Sequence, residues 1–153
     1  SLMKIISKNK KARFEYLVLD TIEAGIVLIG DEVKSLRSGH VNLTGAFAVV
    51  TKGELFLLNC HITPYDKAYS KDEKLATRTR KLLVHRRELN KLIGEVSQRG
   101  VTLVPLKLYF NSRSKIKVEI GLCKHKKDSG KKQALKERDI RKQTSRELKE
   151  YNR

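Results

Sequence analysis

Histidine, cysteine and carboxylate are the side chains that could do covalent or metal chemistry in this chain, and their spacing supports neither. His40, His61, His85 and His125 fall in separate stretches. Cys123 and His125 stand two apart, but no second pair accompanies them, and a zinc site needs four ligands at recognisable spacing. Gly25, Gly30 and Gly39 lack the pattern of a phosphate-cradling loop ahead of a helix. The carboxylates of the body form no acid–base pair. No catalytic residue, no metal and no cofactor is expected. The chemistry left is recognition by charge and hydrogen bond.

Charge is where the sequence speaks. The formal net charge is +17, and it is unevenly placed. Residues 1–14 carry Lys4, Lys8, Lys10, Lys11 and Arg13 with no acid. Residues 67–87 carry eight Lys or Arg against Asp72 and Glu73, and residues 123–153 carry twelve against five acids. The remainder is nearly neutral. Three basic segments on a neutral body fit a polyanion, whose condensed counterions are released on binding, and nucleic acid is the expected partner.

Within those segments a few residues invite specific roles. Arg78, Arg80, Lys81, Arg86 and Arg87 bracket Leu82-Leu83-Val84. That run reads either as a solvated loop entering a core strand or as a phosphate contact backed by an apolar anchor. Glu23 lies among apolar residues beside Gly25. It is either an outward strand position or an acceptor for the donor edge of a base or a ribose hydroxyl, a role that lysine cannot fill. Tyr16, Tyr65 and Tyr69 could stack on splayed bases or belong to the core.

These residues need elements to hold them. Glu15–Asp20 and Ile26–Ile29 read as extended, with Gly25 marking a bulge or a close backbone approach. Asp31 as N-cap, an inner face of Val33 and Leu36, an outer face of Lys34 and Arg37, and a stop at Gly39 make a short helix. Ala46–Val50 and Glu54–Leu58 flank Lys52-Gly53 as a hairpin. Residues 63–80 read as a long exposed excursion. Leu89, Leu92, Ile93 and Val96 form an apolar helical stripe closed by Gly100. Val101–Phe110 is a strand whose Pro105 predicts an edge or a bulge, and Lys115–Leu122 alternates with Ile116, Val118, Ile120 and Leu122 on one face. The fold expected is mainly β with helices: a small antiparallel β-barrel of oligonucleotide-binding (OB) type, two or three helices, and a basic tail.

Two parts follow, an RNA-binding barrel over 1–123 and a tail over 124–153. In the tail, Ala134, Leu135, Ile140 and Leu148 are too sparse for a packed stripe, so it is expected to be helical or disordered until bound. Ser1 and Leu2 read as an expression remnant ahead of Met3. No apolar run approaches the roughly 20 residues of a membrane span, no signal-peptide pattern occurs, and two distant cysteines suit a reducing compartment. A cytoplasmic monomer that does not touch membranes is expected.

Several runs together resemble the SsrA-binding protein (small protein B) family. They are Asn9-Lys10-Lys11-Ala12, Glu23-Ala24-Gly25-Ile26, Gly30-Asp31-Glu32-Val33-Lys34-Ser35-Leu36-Arg37, His61-Ile62-Thr63-Pro64-Tyr65, Arg78-Thr79-Arg80-Lys81-Leu82-Leu83 and Gly100-Val101-Thr102-Leu103-Val104-Pro105-Leu106. The resemblance implies a barrel that grips the tRNA-like part of transfer-messenger RNA near its D-loop and elbow. Asn9, Glu23 and Leu83 match family contact positions, joined here by Lys10, Lys11, Lys34, Arg37, Arg78, Arg80 and Lys81. It also implies trans-translation: alanyl-transfer-messenger RNA, delivered with elongation factor Tu, enters the A site of a stalled ribosome. The body replaces the missing anticodon arm, and the tail enters the messenger channel toward the decoding centre.

The tail departs from the family pattern of Gly-Lys-Lys, two variable residues, then Asp-Lys-Arg. Here it reads His125-Lys126-Lys127-Asp128-Ser129-Gly130-Lys131-Lys132. Lys126, Lys127, Lys131, Lys132, Lys136 and Arg138 keep the basic charge expected to meet the ribosome. The alternative function is a general RNA-binding or ribosome-assembly module of the same fold without selectivity for transfer-messenger RNA.

Overall fold

Val118, Ile120 and Leu122 are fully buried along one face of a single strand, with Ile116 packed at its end, as period-two alternation requires. That strand belongs to a chain whose computed structural model describes residues 3–65, 73–126, 142–149 and 151. In order the elements are β1 (Lys4–Lys8), α1 (Lys10–Glu15), β2 (Tyr16–Ile26), α2 (Gly30–Arg37), β3 (Val41–Asn42), β4 (Phe47–Thr51) and β5 (Glu54–Leu58). There follow β6 (His61–Ile62), α3 (Glu73–Ala76), β7 (Arg80–Leu83), α4 (Arg86–Arg99), β8 (Thr102–Phe110) and β9 (Ile116–His125). A further helix covers 142–149.

Seven strands form one antiparallel sheet in the order β1-β8-β4-β5-β7-β2-β9, and β8 also pairs with β9. That extra pairing turns the sheet back on itself, so the expected mainly β, barrel-like architecture is present. Closure is uneven. β4 meets β8 at the single pair Ala48↔Leu103, and β2 meets β7 only at Gly25↔Leu83 and Ile26↔Leu82. The result is a curled sheet rather than an evenly staved OB barrel. Its interior holds Ile22, Ala24, Leu55, Leu57, Leu82, Leu103, Leu108, Val118 and Ile120, with Leu36 of α2 and Leu89 and Leu92 of α4 closing it.

The hairpin falls as the sequence implies. Lys52 and Gly53 both have positive φ, 52° and 74°, the paired left-handed conformation that matches strand twist in a two-residue turn. Pro105 marks a bulge, seen as a register shift between Pro105 and Lys107. It does not mark an edge, because β8 pairs on both sides. Three expectations need correction. One strand, β2, covers the first extended run from Tyr16 and continues through Glu23 to Ile26, and residues 27–29 of the second run lie beyond it. The cap of α2 is Ile29, not Asp31: Glu32 Oε1 accepts from the Ile29 amide at 3.0 Å, so a first-turn acid does what the cap side chain cannot. The stripe of α4 is narrower than its periodicity suggests, since Leu89 and Leu92 are buried while Ile93 is 42% exposed and Val96 is also exposed.

The expected boundary after Cys123 falls inside β9, which runs on to His125, and the Lys126 amide still bonds Glu15 O at 2.9 Å. The helix over 142–149 lies against the outer side of β4 and β5: Leu148 joins Phe47, Phe56 and Leu58, and the Tyr151 ring meets Phe56 edge-on at 4.9 Å. Among the described residues, no helix is long and apolar enough to cross a membrane.

Candidate nucleic-acid interface

Asn9 sits where β8 changes partner. One edge of β8 faces β4 near Leu103 and β1 from Lys107 onward, and between them its carbonyls need donors. Asn9 Nδ2 donates to Pro105 O at 2.9 Å and to Leu43 O at 3.2 Å, its amide donates to Leu106 O at 2.8 Å, and its Oδ1 caps α1 by accepting from the Ala12 amide. The side chain is 3% exposed. The carboxamide of Asn9, expected at the RNA, is occupied inside the protein. What it does is start α1, which holds Lys10 and Lys11 exposed at the surface. Lys11 pairs with Glu15 at 3.7 Å, a solvent-facing contact of small energy that a phosphate readily displaces.

α1 also meets Lys126, just past the end of β9. Lys126 Nζ donates to Arg13 O at 2.8 Å, and the rings of Tyr16 and His125 lie 4.5 Å apart, fixing the end of β9 beside the start of β2. Phe14 projects from this basic ground, 82% exposed. A short amphipathic segment gave no sign of it, because one aromatic outside any stripe reads as core.

The basic run at 78–83 divides. Arg80, expected at the RNA, is 0% exposed and lies in the core. Its guanidinium donates to Cys60 O at 2.7 Å, to Ala76 O at 3.0 Å and to Glu32 Oε2 at 2.6 Å. A buried guanidinium has to satisfy its donors within the protein, and this one does so by tying α2, α3 and β7 together. Arg78 reaches the same carboxylate, its Nε 3.1 Å from Glu32 Oε2, and also donates toward Val27 O; it is likewise held inward rather than presented. Burial pushes the Glu32 carboxyl up, but the Arg78 hydrogen bond, the Arg80 charge and the Ile29 amide outweigh it and leave it below the ordinary carboxylate value. Lys81 pairs with Glu54 at 3.2 Å, and only Leu83 stands clear, 52% exposed.

Leu83 and Glu23 share an outer sheet face. Leu83 is opposite Gly25 in register, and Glu23 lies two residues back along β2 on the same side. A Cβ on Gly25 would meet Leu83 Cβ at 3.4 Å, so glycine there permits the close approach that its position suggested. Across β9, Glu23 faces Glu119 and Gly25 faces Lys117. Tyr109 donates its hydroxyl to Glu23 Oε2, and Lys107 meets Glu119 at 3.6 Å. Tyr109 was missed because a tyrosine in an apolar strand looks like filling.

α2 supplies a second exposed group. Lys34 and Arg37 point outward as expected, with Lys34 Nζ 5.0 Å from the centre of the Tyr65 ring, and Ser35 Oγ donating to Thr63 O at 2.7 Å. Tyr69 and the tail residues Lys127, Lys131, Lys132, Lys136 and Arg138 lie outside the described residues, whereas Lys126 is described. Cys60 and Cys123 are buried free thiols, each pushed up to about 11 by burial. Among the described residues no group of three or more metal-ligating side chains occurs.

Known proteins share this arrangement over almost its whole length. The family model "SmpB protein" matches residues 6–150. The SsrA-binding protein of Coprothermobacter proteolyticus is 49% identical over 145 residues, covering 95% of this chain and 97% of its own. That of Enterococcus faecalis is 47% identical over 152 residues, covering 98% and 96%. A solved chain described as "tmRNA-SmpB: a journey to the center of the bacterial ribosome" superposes with a TM-score of 0.66 at 48% identity, covering 84% of this chain and 93% of that one. With identity near one half, nearly full-length coverage by its relatives and a common fold, this chain belongs to the SmpB family of SsrA-binding proteins.

Proposed function

We propose that this chain binds the tRNA-like part of transfer-messenger RNA and brings it to stalled ribosomes for trans-translation. The observation that carries the reading is the near full-length likeness to SsrA-binding proteins and to a solved tmRNA-SmpB chain. The outer face agrees with it: an exposed leucine, a fixed carboxylate and flanking lysines suit an RNA whose bases and phosphates are both offered. Glu23 and Leu83 meet bases or ribose, and Lys10, Lys11, Lys34, Arg37 and Lys81 neutralise phosphates. Asn9, Arg78 and Arg80 act indirectly by holding α1 and α2.

The RNA arrives charged with alanine and accompanied by elongation factor Tu, and the protein body fills the A site where an anticodon arm is missing. The tail, rooted at Lys126, extends its lysines and Arg138 along the messenger channel to the decoding centre. The protein acts as a cytoplasmic monomer without catalysis or cofactor.

Binding of the labelled tRNA-like domain and of ordinary tRNA, each titrated over a range of salt, tests this. The tRNA-like domain should bind more tightly, and log K should fall with log salt at a slope of several units, each neutralised phosphate contributing about 0.7–0.9. Equal affinity for both RNAs would favour a general RNA-binding module instead. Glu23→Ala should cost on the order of 1–3 kcal/mol of affinity, the scale of a charged hydrogen bond to a base.

A further inference from the structure

We infer that Tyr109 is the positioning residue for Glu23, a buried phenol that fixes one carboxylate oxygen so that the other is presented to RNA. The inference rests on the assignment of Glu23 to the RNA face above, and concerns how that contact is made selective.

Register creates a conflict on this face. Glu23 on β2 is directly opposite Glu119 on β9, and like charges directly across a sheet repel. Two neighbours from β8 settle it. Lys107 stands 3.6 Å from Glu119 Oε2 and 5.6 Å above the Tyr109 ring. Tyr109 donates to Glu23 Oε2. The four side chains form a chain, Glu119 to Lys107 to Tyr109 to Glu23, in which each carboxylate is held by a different partner. Lys117, the cation opposite Gly25 and Tyr109 in the strand registers, flanks the group.

The phenol is a rigid anchor. Tyr109 is 5% exposed and seated between β1 and β9, so its ring cannot follow the glutamate as it moves. Burial first, then the Glu23 hydrogen bond, raises the phenol above its ordinary value, so it remains a donor throughout the pH range of RNA binding. Packing alone would be served by phenylalanine. The hydroxyl is the extra feature, and it is aimed at an exposed acid.

An exposed glutamate normally loses rotamer freedom when it binds, and that cost is removed if the carboxylate is already held. The second oxygen of Glu23 accepts no hydrogen bond among the described residues. The free oxygen is an acceptor alone, so what it takes is a donor: a base amino or imino group, or a ribose hydroxyl. The group therefore selects, whereas the lysines of α1 and α2 attract.

Fluorescence anisotropy with the full chain and the labelled tRNA-like domain tests this, using Tyr109→Phe, Glu23→Ala, the double variant and Glu23→Asp. Tyr109→Phe should weaken binding roughly three- to tenfold, the equivalent of ordering one rotamer-rich side chain, with an unchanged salt slope because no phosphate contact is lost. Glu23→Asp keeps the charge but is one methylene too short to keep both contacts, and should lose a similar factor. The double variant should bind like Glu23→Ala alone, since the hydroxyl acts only through the carboxylate. Wild-type affinity of Tyr109→Phe beside a weakened Glu23→Ala would overturn the inference and leave the RNA-face assignment standing. A double variant weaker than Glu23→Ala would also overturn it. Wild-type affinity of Glu23→Ala would remove the assignment itself, and the inference with it. Thermal melting of each variant separates loss of contact from loss of fold, and Glu23→Asp, at an exposed position, supplies the answer if Tyr109→Phe melts early.

Discussion

Nε of Arg80 stands 2.6 Å from Oε2 of Glu32, with the arginine wholly out of solvent and the carboxylate nearly so. Through this pair the helix that carries Lys34 and Arg37 is fastened to the strand that carries Lys81 and Leu83, so two segments far apart in sequence are held together.

Removing the arginine should unfasten both. Arg80→Ala leaves Glu32 buried with a weakened partner set and strips donors from the carbonyls of Cys60 and Ala76. Losing one side of a buried ion pair costs about 3–5 kcal/mol, read as a lower midpoint in urea unfolding. Arg80→Lys should not restore it, because one ammonium cannot span acceptors that a planar fork reaches at once.

Acid should reveal the same pair. The folded-state pKa of Glu32 lies below its ordinary value, so its contribution is present above the unfolded carboxylate range and is lost as pH falls through the depressed folded value. Unfolding free energy measured from neutral to strongly acidic pH should decline in wild type. In Glu32→Gln the protein should be less stable at neutral pH and decline less steeply, because the group that took up the proton is gone. Parallel curves would show that other carboxylates set the acid limb.

Two adjacent helix residues should behave very differently. Leu92 is fully buried in the core and Ile93 is 42% exposed. Leu92→Ala should cost about 2–5 kcal/mol, whereas Ile93→Ala should stay within about 1 kcal/mol. Guanidinium melts of the two variants measure the difference.

That contrast shows how much was legible beforehand. Periodicity located α4, the hairpin turn and the alternating strand β9, because each depends on local spacing. It could not choose which side of a 100°-wide stripe meets the core, since that is set by the distant residues with which Leu89 and Leu92 pack. The site was legible in the same uneven way. Glu23, Leu83, Lys34 and Arg37 were found as exposed or anchor residues, but a lone letter R does not tell a core guanidinium such as Arg80 from a surface one. Asn9 and Tyr109 act through partners 96 and 86 residues away, and no local pattern carries that.

The proposed reading gives the tail a function of its own, and the structural boundary of the body falls after Lys126, because β9 continues to His125 and Lys126 still bonds α1. A chain cut there should fold and bind the tRNA-like domain at moderate loss, although Phe56 loses the cover of Leu148 and Tyr151. Peptide tagging in a reconstituted translation system should nevertheless collapse. Equal tagging by cut and full-length protein would end the two-part mechanism, and would make the departures at His125, Ser129, Gly130 and Lys132 marks of a tail that no longer signals.

The pairing of β2 with β9 also sets a clock. Every register pair between these strands joins residues more than 90 positions apart, while β4 and β5 meet across a two-residue turn. Closing so long a loop adds little to the free energy, about 0.6 kcal/mol for each doubling of length, but distant contacts slow the search, and folds dominated by them take milliseconds to seconds. The hairpin can form at once; the face bearing Glu23 exists only after the ninth strand has found the second. On the proposed reading, the face that discriminates is thus among the late parts of the molecule to form, together with the β1–β8 pairing over comparable separations, and a chain cut short of β9 carries basic residues without the face that selects.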